Sequence, residues 1–146
     1  MIRTMRREFL AIATVAGLAM LAPVAAQAQT SAVKYKAVFQ VSDGDPQKWN
    51  LTLNNAKNVQ DDLGASAVDL EVVVYGPGIG MLKLESPVAV RVAEALRSGV
   101  KVVACENTMK GQHLERSDML PDIAYVRAGV VELIVRQRDG YAYIRP

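Results

Sequence analysis

Cys105 is the residue whose type and setting point most directly to chemistry, and it is the only cysteine in the 146-residue chain. It closes an apolar run, Val102-Val103-Ala104, and precedes Asn107-Thr108, which has the character of a helix start. A thiol at a helix N-terminus meets the positive end of the backbone dipoles, which favours the nucleophilic thiolate. Glu106 acts in the opposite direction, because a neighbouring carboxylate disfavours a second negative charge. The alternative is a buried, inert structural cysteine.

Asp43 and Asp45 form a D-x-D pattern at the end of a predicted strand. Two carboxylates at this spacing could hold a magnesium ion, and an aspartate nucleophile there would make a phosphatase. Asp45 is better explained as the N-cap of a helix that begins at Pro46, and Asp43 as a turn residue. We therefore expect no metal and no cofactor, and an Asp43-dependent phosphatase remains an alternative.

Gly76, Gly78 and Gly80 follow the second predicted strand in a G-P-G-x-G run. The dinucleotide-binding fingerprint has a different spacing, follows the first strand and opens a helix directly. A predicted loop whose backbone approaches the Cys105 segment closely explains these glycines better. Its N–H groups could bind a small anion.

His113 and Lys110 are possible neighbours of a thiolate, because they follow Cys105 by eight and five residues. A Cys–His pair would raise the thiolate fraction. Both residues lie in a polar stretch, which favours the interpretation that they are solvated surface residues.

Composition and charge exclude several classes of protein. The chain is 51% hydrophobic and 22% charged, which indicates a globular protein and excludes low-complexity, collagen-like and disulfide-rich ones. One histidine excludes a multi-histidine metal site. Lys and Arg outnumber Asp and Glu by 17 to 15, and this excess lies within the first eight residues. The remainder is neutral, so no basic field attracts nucleic acid or an anionic membrane.

Residues 1–28 have the pattern of an export signal. A basic segment up to Arg7 is followed by an uncharged, Ala- and Leu-rich run, and Ala26-Gln27-Ala28 supplies the small-x-small cleavage pattern. The run Arg6-Arg7-Glu8-Phe9-Leu10 resembles the twin-arginine motif. We expect export to the periplasm, with the general secretory route and an uncleaved anchor as alternatives. Residues 29–146 would then form one domain with no membrane attachment.

The elements that must position these residues alternate between strand and helix. Val72-Val73-Val74 is continuously apolar, which is typical of a strand covered on both faces. Strands are predicted at 34–42, 68–75, 101–105, 123–126 and 141–144, and the main helices begin at Pro46, Ser86-Pro87 and Gly129. Residues 107–120 are predicted as a broken helical or loop stretch. The order indicates an α/β domain with a mainly parallel five-stranded sheet flanked by helices.

The carboxyl ends of parallel strands meet at one edge of the sheet, where ligands bind in such folds. Three segments follow strand ends: residues 43–45, 76–80 and 105–109. We expect them to be close in space although they are far apart in the sequence.

Four runs together resemble the DsrE/DsrF-like sulfur-relay family, in particular its small exported branch. They are Val41-Ser42-Asp43-Gly44-Asp45-Pro46, the helix with Trp49-Asn50 and Asn54-Asn55-Ala56, Tyr75-Gly76-Pro77-Gly78-Ile79, and Ala104-Cys105-Glu106-Asn107-Thr108-Met109. The resemblance extends from about Lys34 to Pro146. It implies a five-stranded, mainly parallel sheet and assembly into homotrimers or homohexamers.

The resemblance also implies a chemistry. Better-studied members carry sulfur as a persulfide on a cysteine at the ligand end of the sheet, and Cys105 is the residue here that matches. The protein would then be at most a sulfur carrier or transferase, with a donor or acceptor protein as partner. Asp43, Gly76, Gly78, Asn107 and Thr108 would line the ligand site. The alternative is a non-catalytic module that binds a small ligand or a protein and keeps an inert Cys105.

Residues 130–135 are apolar apart from Glu132. A helix that is apolar almost all round is buried on more than one side, either in the core or against another subunit. The resemblance favours a subunit contact, for which Leu51 and Met81-Leu82 are further candidates.

Overall fold

The computed structural model describes residues 35–146; the predicted export signal, residues 1–28, and residues 29–34 lie outside this part of the chain. Five strands form one sheet in the described part: β1 (Tyr35–Val41), β2 (Val68–Val74), β3 (Lys101–Cys105), β4 (Ala124–Val126) and β5 (Ala142–Ile144). Their order is β4-β3-β2-β1-β5, and every neighbouring pair is parallel. The expected α/β fold is confirmed.

Four α-helices connect the strands: α1 (Pro46–Leu63), α2 (Ala89–Arg97), α3 (Glu106–Gly111) and α4 (Gly129–Arg138). Two 3₁₀ helices, Gly76–Leu82 and Arg116–Asp118, accompany them. Among residues 35–146, no helix combines the length and the apolar character that crossing a bilayer requires.

Helix α1 begins as its sequence predicts. The Asp45 carboxylate accepts a hydrogen bond of 2.8 Å from the Gln47 N–H, and Pro46 occupies the first turn. Trp49, Leu53 and Ala56 are buried on the face toward the sheet, as their spacing predicts. Capping of α1 therefore accounts for Asp45. Leu63 has the same helical spacing as the buried residues but is 42% exposed at the end of the helix.

The two faces of the sheet are covered unequally. On one face α1 and α2 bury a large core that contains Phe39, Val72 and Val102. On the other face Leu133 of α4 packs on a small cluster, Val38, Val73 and Val103. Because successive residues of a strand point to opposite faces, Cys105 shares the α4 face with Val103.

The segment after β2 corrects a sequence-based prediction. Residues 76–80 were predicted as a loop, but Gly76–Leu82 is a 3₁₀ helix. Met81 and Leu82 are fully buried, so their predicted role as exposed contact residues is wrong. The 3₁₀ helix directs these side chains into the core under α1 and α2. The hydrophobic pattern of only five residues does not show this direction.

Helix α4 begins at Gly129, as predicted, and is only partly buried by its own chain. Gly129 and Leu133 are buried, whereas Val130, Val131, Ile134 and Val135 are 40–55% exposed in the single chain. We call these four residues the α4 apolar face. The helix is therefore not surrounded by its own chain, and burial on a second side would require another molecule.

Candidate functional site

The three segments that follow β1, β2 and β3 meet at the carboxyl edge of the sheet, as predicted. The loop after β1 contacts the segment after β2, where a Cβ placed on Gly44 would lie 3.5 Å from the Pro77 Cβ. The segment after β2 contacts α3, where the Gly76 N–H donates a 2.9 Å hydrogen bond to the Thr108 hydroxyl oxygen. The strand ends bring segments 32 residues apart into hydrogen-bonding distance.

Cys105 lies where β3 passes directly into α3, as the last strand residue and the N-cap. It pairs in register with Val126 of β4, and Tyr75 follows the β2 residue that pairs with Ala104. The side chain is buried, with 5% of its surface exposed. Its thiol donates a long 3.9 Å hydrogen bond to the carbonyl oxygen of Arg127. The sulfur therefore sits between the starts of α3 and α4.

Burial raises the pKa of the Cys105 thiol, but hydrogen-bond donors outweigh burial and hold the pKa below its usual value. The donors are the Thr108 hydroxyl and the backbone N–H groups of Gly129, Thr108 and Asn107, of which the Asn107 N–H also donates to the Arg127 carbonyl oxygen at 3.1 Å. Hydrogen bonds to a charged acceptor are stronger than those to a neutral one, so the four donors stabilise the thiolate selectively. This arrangement suits an anionic sulfur in a buried position.

The Thr108 hydroxyl joins two parts of the site. Its oxygen accepts the Gly76 N–H, which leaves its own hydrogen free to point at the Cys105 sulfur. The Gln112 amide reinforces the same contact by donating to the Gly76 carbonyl oxygen at 3.3 Å. The segment after β2 thus orients the hydroxyl without touching the sulfur.

A cleft of about 580 Å³ opens beside Cys105. Its lining residues come from the starts of α3 and α4 and from the end of β4: Asn107, Val126, Arg127, Ala128, Val131 and Glu132. Val126 is the register partner of Cys105, and the Arg127 carbonyl accepts the thiol hydrogen. The cleft is therefore lined by residues that contact Cys105, while Cys105 itself is not part of its lining.

Gly76 and Gly78 lie at this edge but use their N–H groups inside the protein. The Gly76 N–H is bonded to Thr108, and the Gly78 N–H donates to the carbonyl oxygens of Ser42 and Tyr75 at 3.2 and 3.1 Å. A ligand anion would have to replace these bonds. The two glycines allow close backbone approach, as predicted, with Gly76 at a positive φ of 55°.

Asp43 lies at the same edge, on the β1 side. Its carbonyl oxygen accepts the Trp49 indole N–H at 2.7 Å, and its carboxylate pairs with Lys48 at 3.0 Å and Arg145 at 3.8 Å. Within residues 35–146, no three His, Cys, Asp or Glu side chains are grouped so that they could hold a metal ion. These contacts give the Asp43 carboxylate a structural role at the start of α1.

His113 and Lys110 are both exposed, and His113 has a positive φ of 56° just after α3. Glu106 turns away from the thiol to pair with Arg116 at 2.6 Å. The cation neutralises the carboxylate that the sequence placed next to Cys105, so Glu106 opposes the thiolate less than expected.

Gly129, Arg127 and Tyr75 belong to the site, and sequence reasoning did not single them out. Gly129 fits because it has no side chain, since a Cβ there would lie 3.0 Å from the Tyr75 ring. The sequence does not identify Gly129 as a site residue, because it does not show that α4 begins beside Cys105. The strand register, which only the structure gives, brings these residues together.

Replacing Thr108 with valine is expected to raise the pKa of the Cys105 thiol and to lower its alkylation rate near neutral pH about tenfold. Valine keeps the shape but removes a donor to a charged sulfur, which is worth about 1.4 kcal/mol or more. The rate of reaction with iodoacetamide as a function of pH measures this. Thr108→Ser retains the hydroxyl and is the matched control; equal loss in both variants would contradict the assignment.

The fold and the site define a class: an α/β protein with a parallel sheet and one buried, hydrogen-bonded cysteine at its carboxyl edge. Residues 35–146 match the DsrE/DsrF-like family, and the chain belongs to that family. No curated protein matches the chain.

Several solved structures are similar, and two of them have the following likeness. MTH1491 from Methanobacterium thermoautotrophicum, a protein of unknown function, is 34% identical, with a TM-score of 0.74 over 77% of this chain and 100% of its own. BT1422 from Bacteroides thetaiotaomicron, a conserved protein of unknown function, shares the fold at 14% identity. Its TM-score is 0.59 over 76% of this chain and 94% of its own. Membership in this family supports a sulfur-relay role.

Proposed function

We propose that this protein carries sulfane sulfur as a persulfide on Cys105. The observation that carries the proposal is the position of the single buried sulfur, which lies at the junction of β3 and α3, beside the Arg127 carbonyl and next to the start of α4. The Thr108 hydroxyl and the neighbouring backbone N–H groups lower the pKa of this thiol. A lower thiol pKa raises the fraction of thiolate near neutral pH, and the thiolate is the form that attacks a sulfane sulfur. The protein is then a carrier or transferase that needs a separate donor and acceptor, which would be its partner proteins.

The uptake step balances without an added oxidant. The Cys105 thiolate attacks the outer sulfur of a polysulfide or an organic persulfide, and a new S–S bond forms as the donor's S–S bond breaks. The donor leaves as a thiolate or as a polysulfide one sulfur shorter. Transfer to an acceptor reverses this exchange and regenerates the Cys105 thiolate.

The residues around the cleft have two different roles in binding: some contact the sulfur donor, and others hold the surrounding segments in place. Asn107 lines the approach, and Thr108 faces the sulfur, so both would contact the incoming donor. Gly76, Gly78 and Asp43 would support the same site by fixing the loops that orient Thr108 and begin α1.

We further propose that the protein acts in the periplasm after export. The support is the pattern of residues 1–28, with its paired arginines and its small-residue cleavage site. A thiol that is 95% covered would survive an oxidising compartment better than an open one, because oxidation follows exposure.

Self-assembly into a homotrimer or homohexamer is part of the proposal. The α4 apolar face supports it, because four neighbouring branched side chains on one helix are left open to solvent in the single chain. We expect the protein without residues 1–28 to elute as a multimer at micromolar concentration, and Ile134→Glu to shift it toward monomer. Size-exclusion chromatography with light scattering measures this; a wild-type monomer would contradict the proposal.

A second candidate is a non-catalytic module that binds a small ligand or a protein, with an inert Cys105. The 5% exposure of the thiol and the adjoining cleft of about 580 Å³ favour it. The reactivity of the thiol in the folded protein separates the two functions.

The proposed function is tested by loading the protein with polysulfide, removing the excess and adding cyanide. Cyanide takes the outer sulfur from a persulfide as thiocyanate and leaves the thiolate, so we expect thiocyanate approaching one equivalent per chain. Prior alkylation of the folded protein should prevent the release. Release that is unaffected by alkylation, or none at all, would contradict the carrier function.

A further inference from the structure

A buried carboxylate lies beneath α4, away from the sulfur site. Glu71 is in the middle of β2 and only 1% exposed. Its Oε2 atom is 2.8 Å from Arg136 Nε of α4 and 3.3 Å from Lys101 Nζ of β3. Burying a carboxylate is costly unless it is paired, and an apolar pair of similar volume is often as stable. Stability alone therefore gives little reason for an ion pair in this position.

Other charged and titratable groups surround the pair from each packed element. Arg136 also pairs with Glu132 at 2.9 Å and more loosely with Asp139 at 3.8 Å, both on its own helix or next to it. Just before β5, the Tyr141 ring lies 5.4 Å from the Arg136 guanidinium, and the Tyr141 hydroxyl donates to Asp69 of β2 at 2.7 Å. Burial and Glu132 raise the pKa of Glu71, while Lys101 and Arg136 act against them. The network thus connects α4 to β2, to β3 and to the residue that precedes β5.

The spacing along the elements relates this network to the sulfur site. Glu71 and Lys101 precede Tyr75 and Cys105 by four residues on β2 and β3, which is about 13 Å on the same face of the sheet. On α4, Arg136 follows Gly129 by seven residues, which is two turns and about 10 Å on one side of the helix. When Arg136 meets Glu71, Gly129 is therefore placed against Tyr75 and beside Cys105.

The apolar contacts of α4 specify its position less sharply. Leu133 packs on Val38, Val73 and Val103, three similar side chains in neighbouring strands. Such a surface allows a helix to slide or rotate at a small cost, whereas a buried carboxylate needs a cation beside it. Arg136 Nε lies 2.8 Å from Glu71 Oε2 without forming a hydrogen bond, so the contact acts through charge. Together with the close approach of Gly129 to the Tyr75 ring, this ion pair distinguishes one register of α4 from another.

We propose that the buried Glu71–Arg136 ion pair fixes the position of α4 along the sheet and thereby holds Gly129 against the Cys105 sulfur. Glu71 and Arg136 are then positioning residues for the site, although neither touches the sulfur. The inference rests on the proposed function for its significance, but its test concerns the thiol and needs no sulfur transfer.

The test is the pH dependence of Cys105 alkylation in Glu71→Gln. Loss of a negative charge near a thiol would by electrostatics alone lower the pKa of the thiol or leave it unchanged. Displacement of Gly129 removes a donor and has the opposite effect. We expect the pKa to rise and the rate near neutral pH to fall at least ~3-fold. Hydrogen exchange at the amides of residues 129–131 should become faster in the same variant.

Variants of α4 give an independent comparison. Arg136→Met removes the ion pair and keeps the apolar stem, whereas Arg138→Met removes the same charge from an exposed position on the same helix. We expect slower alkylation in Arg136→Met than in Arg138→Met, with partial recovery in Arg136→Lys. This comparison decides the question if Glu71→Gln does not fold.

Two results would overturn the inference. One is a thiol pKa that stays or falls in a folded Glu71→Gln protein; the other is equal alkylation of Arg136→Met and Arg138→Met. If alkylation responds as expected but no thiocyanate is formed from the wild type, the positioning role stands and the carrier function fails. If the wild type transfers sulfur and the variants alkylate at the wild-type rate, the carrier function stands and the positioning role fails.

Discussion

Cys105→Ser is expected to take up no sulfur after incubation with polysulfide, while the wild-type chain gains the mass of one or more sulfur atoms. Serine fits the same space, and its hydroxyl can accept the donors around the site. It cannot form the S–S bond, because the persulfide requires a sulfur nucleophile at this position. Cys105 is the only cysteine in the chain, so no other thiol can replace it.

Intact-mass spectrometry before and after treatment with a reductant measures the uptake. The added mass in the wild type should disappear on reduction, and digestion should locate it on the peptide that contains Cys105. Unfolding temperatures of the two proteins should agree closely, which separates loss of chemistry from loss of fold. Equal uptake by both proteins would show that polysulfide binds elsewhere.

Gly78→Ala is expected to destabilise the fold by about 2–4 kcal/mol and to lower the unfolding temperature by roughly 10 °C. A Cβ at this position would lie 2.5 Å from the Val41 carbonyl oxygen, which is backbone of β1 and cannot move aside as a side chain can. The 3₁₀ helix Gly76–Leu82 would have to shift away from the sheet. Because Gly76 is bonded to Thr108, the shift should also slow the alkylation of Cys105.

Gly111→Ala is the matched control, since a Cβ on Gly111 at the end of α3 meets nothing within 4 Å. Alanine is the better helix former, so this variant should be neutral or slightly more stable. Thermal unfolding followed by circular dichroism compares the two substitutions. A Gly78→Ala protein as stable as the control would show that β1 and the 3₁₀ helix are not packed as described.

Local patterns were sufficient to predict much of the fold. Asp45-Pro46 marks the start of α1 within one residue, and Lys101–Cys105 and Gly129–Arg138 agree at both ends. Residues with strong conformational preferences lie at or near the ends of these elements. Short stretches of sequence are therefore enough to predict where the elements begin or end. The convergence of three loops follows from strand direction alone, which a parallel sheet imposes.

The remaining features depend on contacts between distant segments. Helix α2 was predicted to begin at Ser86-Pro87 but begins at Ala89, because the Ser86 hydroxyl instead accepts the Val88 N–H at 3.3 Å in the preceding turn. The donor from Gly129 to Cys105 depends on where α4 meets β2 and β3. Likewise, the ion-pair partner of Glu71 could not be predicted from the apolar strand around it, because Arg136 lies 65 residues further along the chain.

The most direct test of the account is the pH dependence of iodoacetamide reaction at Cys105 in the folded wild-type protein. The Thr108 hydroxyl and the backbone N–H groups at the starts of α3 and α4 favour a charged sulfur in a nearly covered position. We therefore expect a midpoint below that of free cysteine, which is about 8.5, and reaction without unfolding. A midpoint at or above that of free cysteine, or a thiol that reacts only when the protein is unfolded, would contradict it.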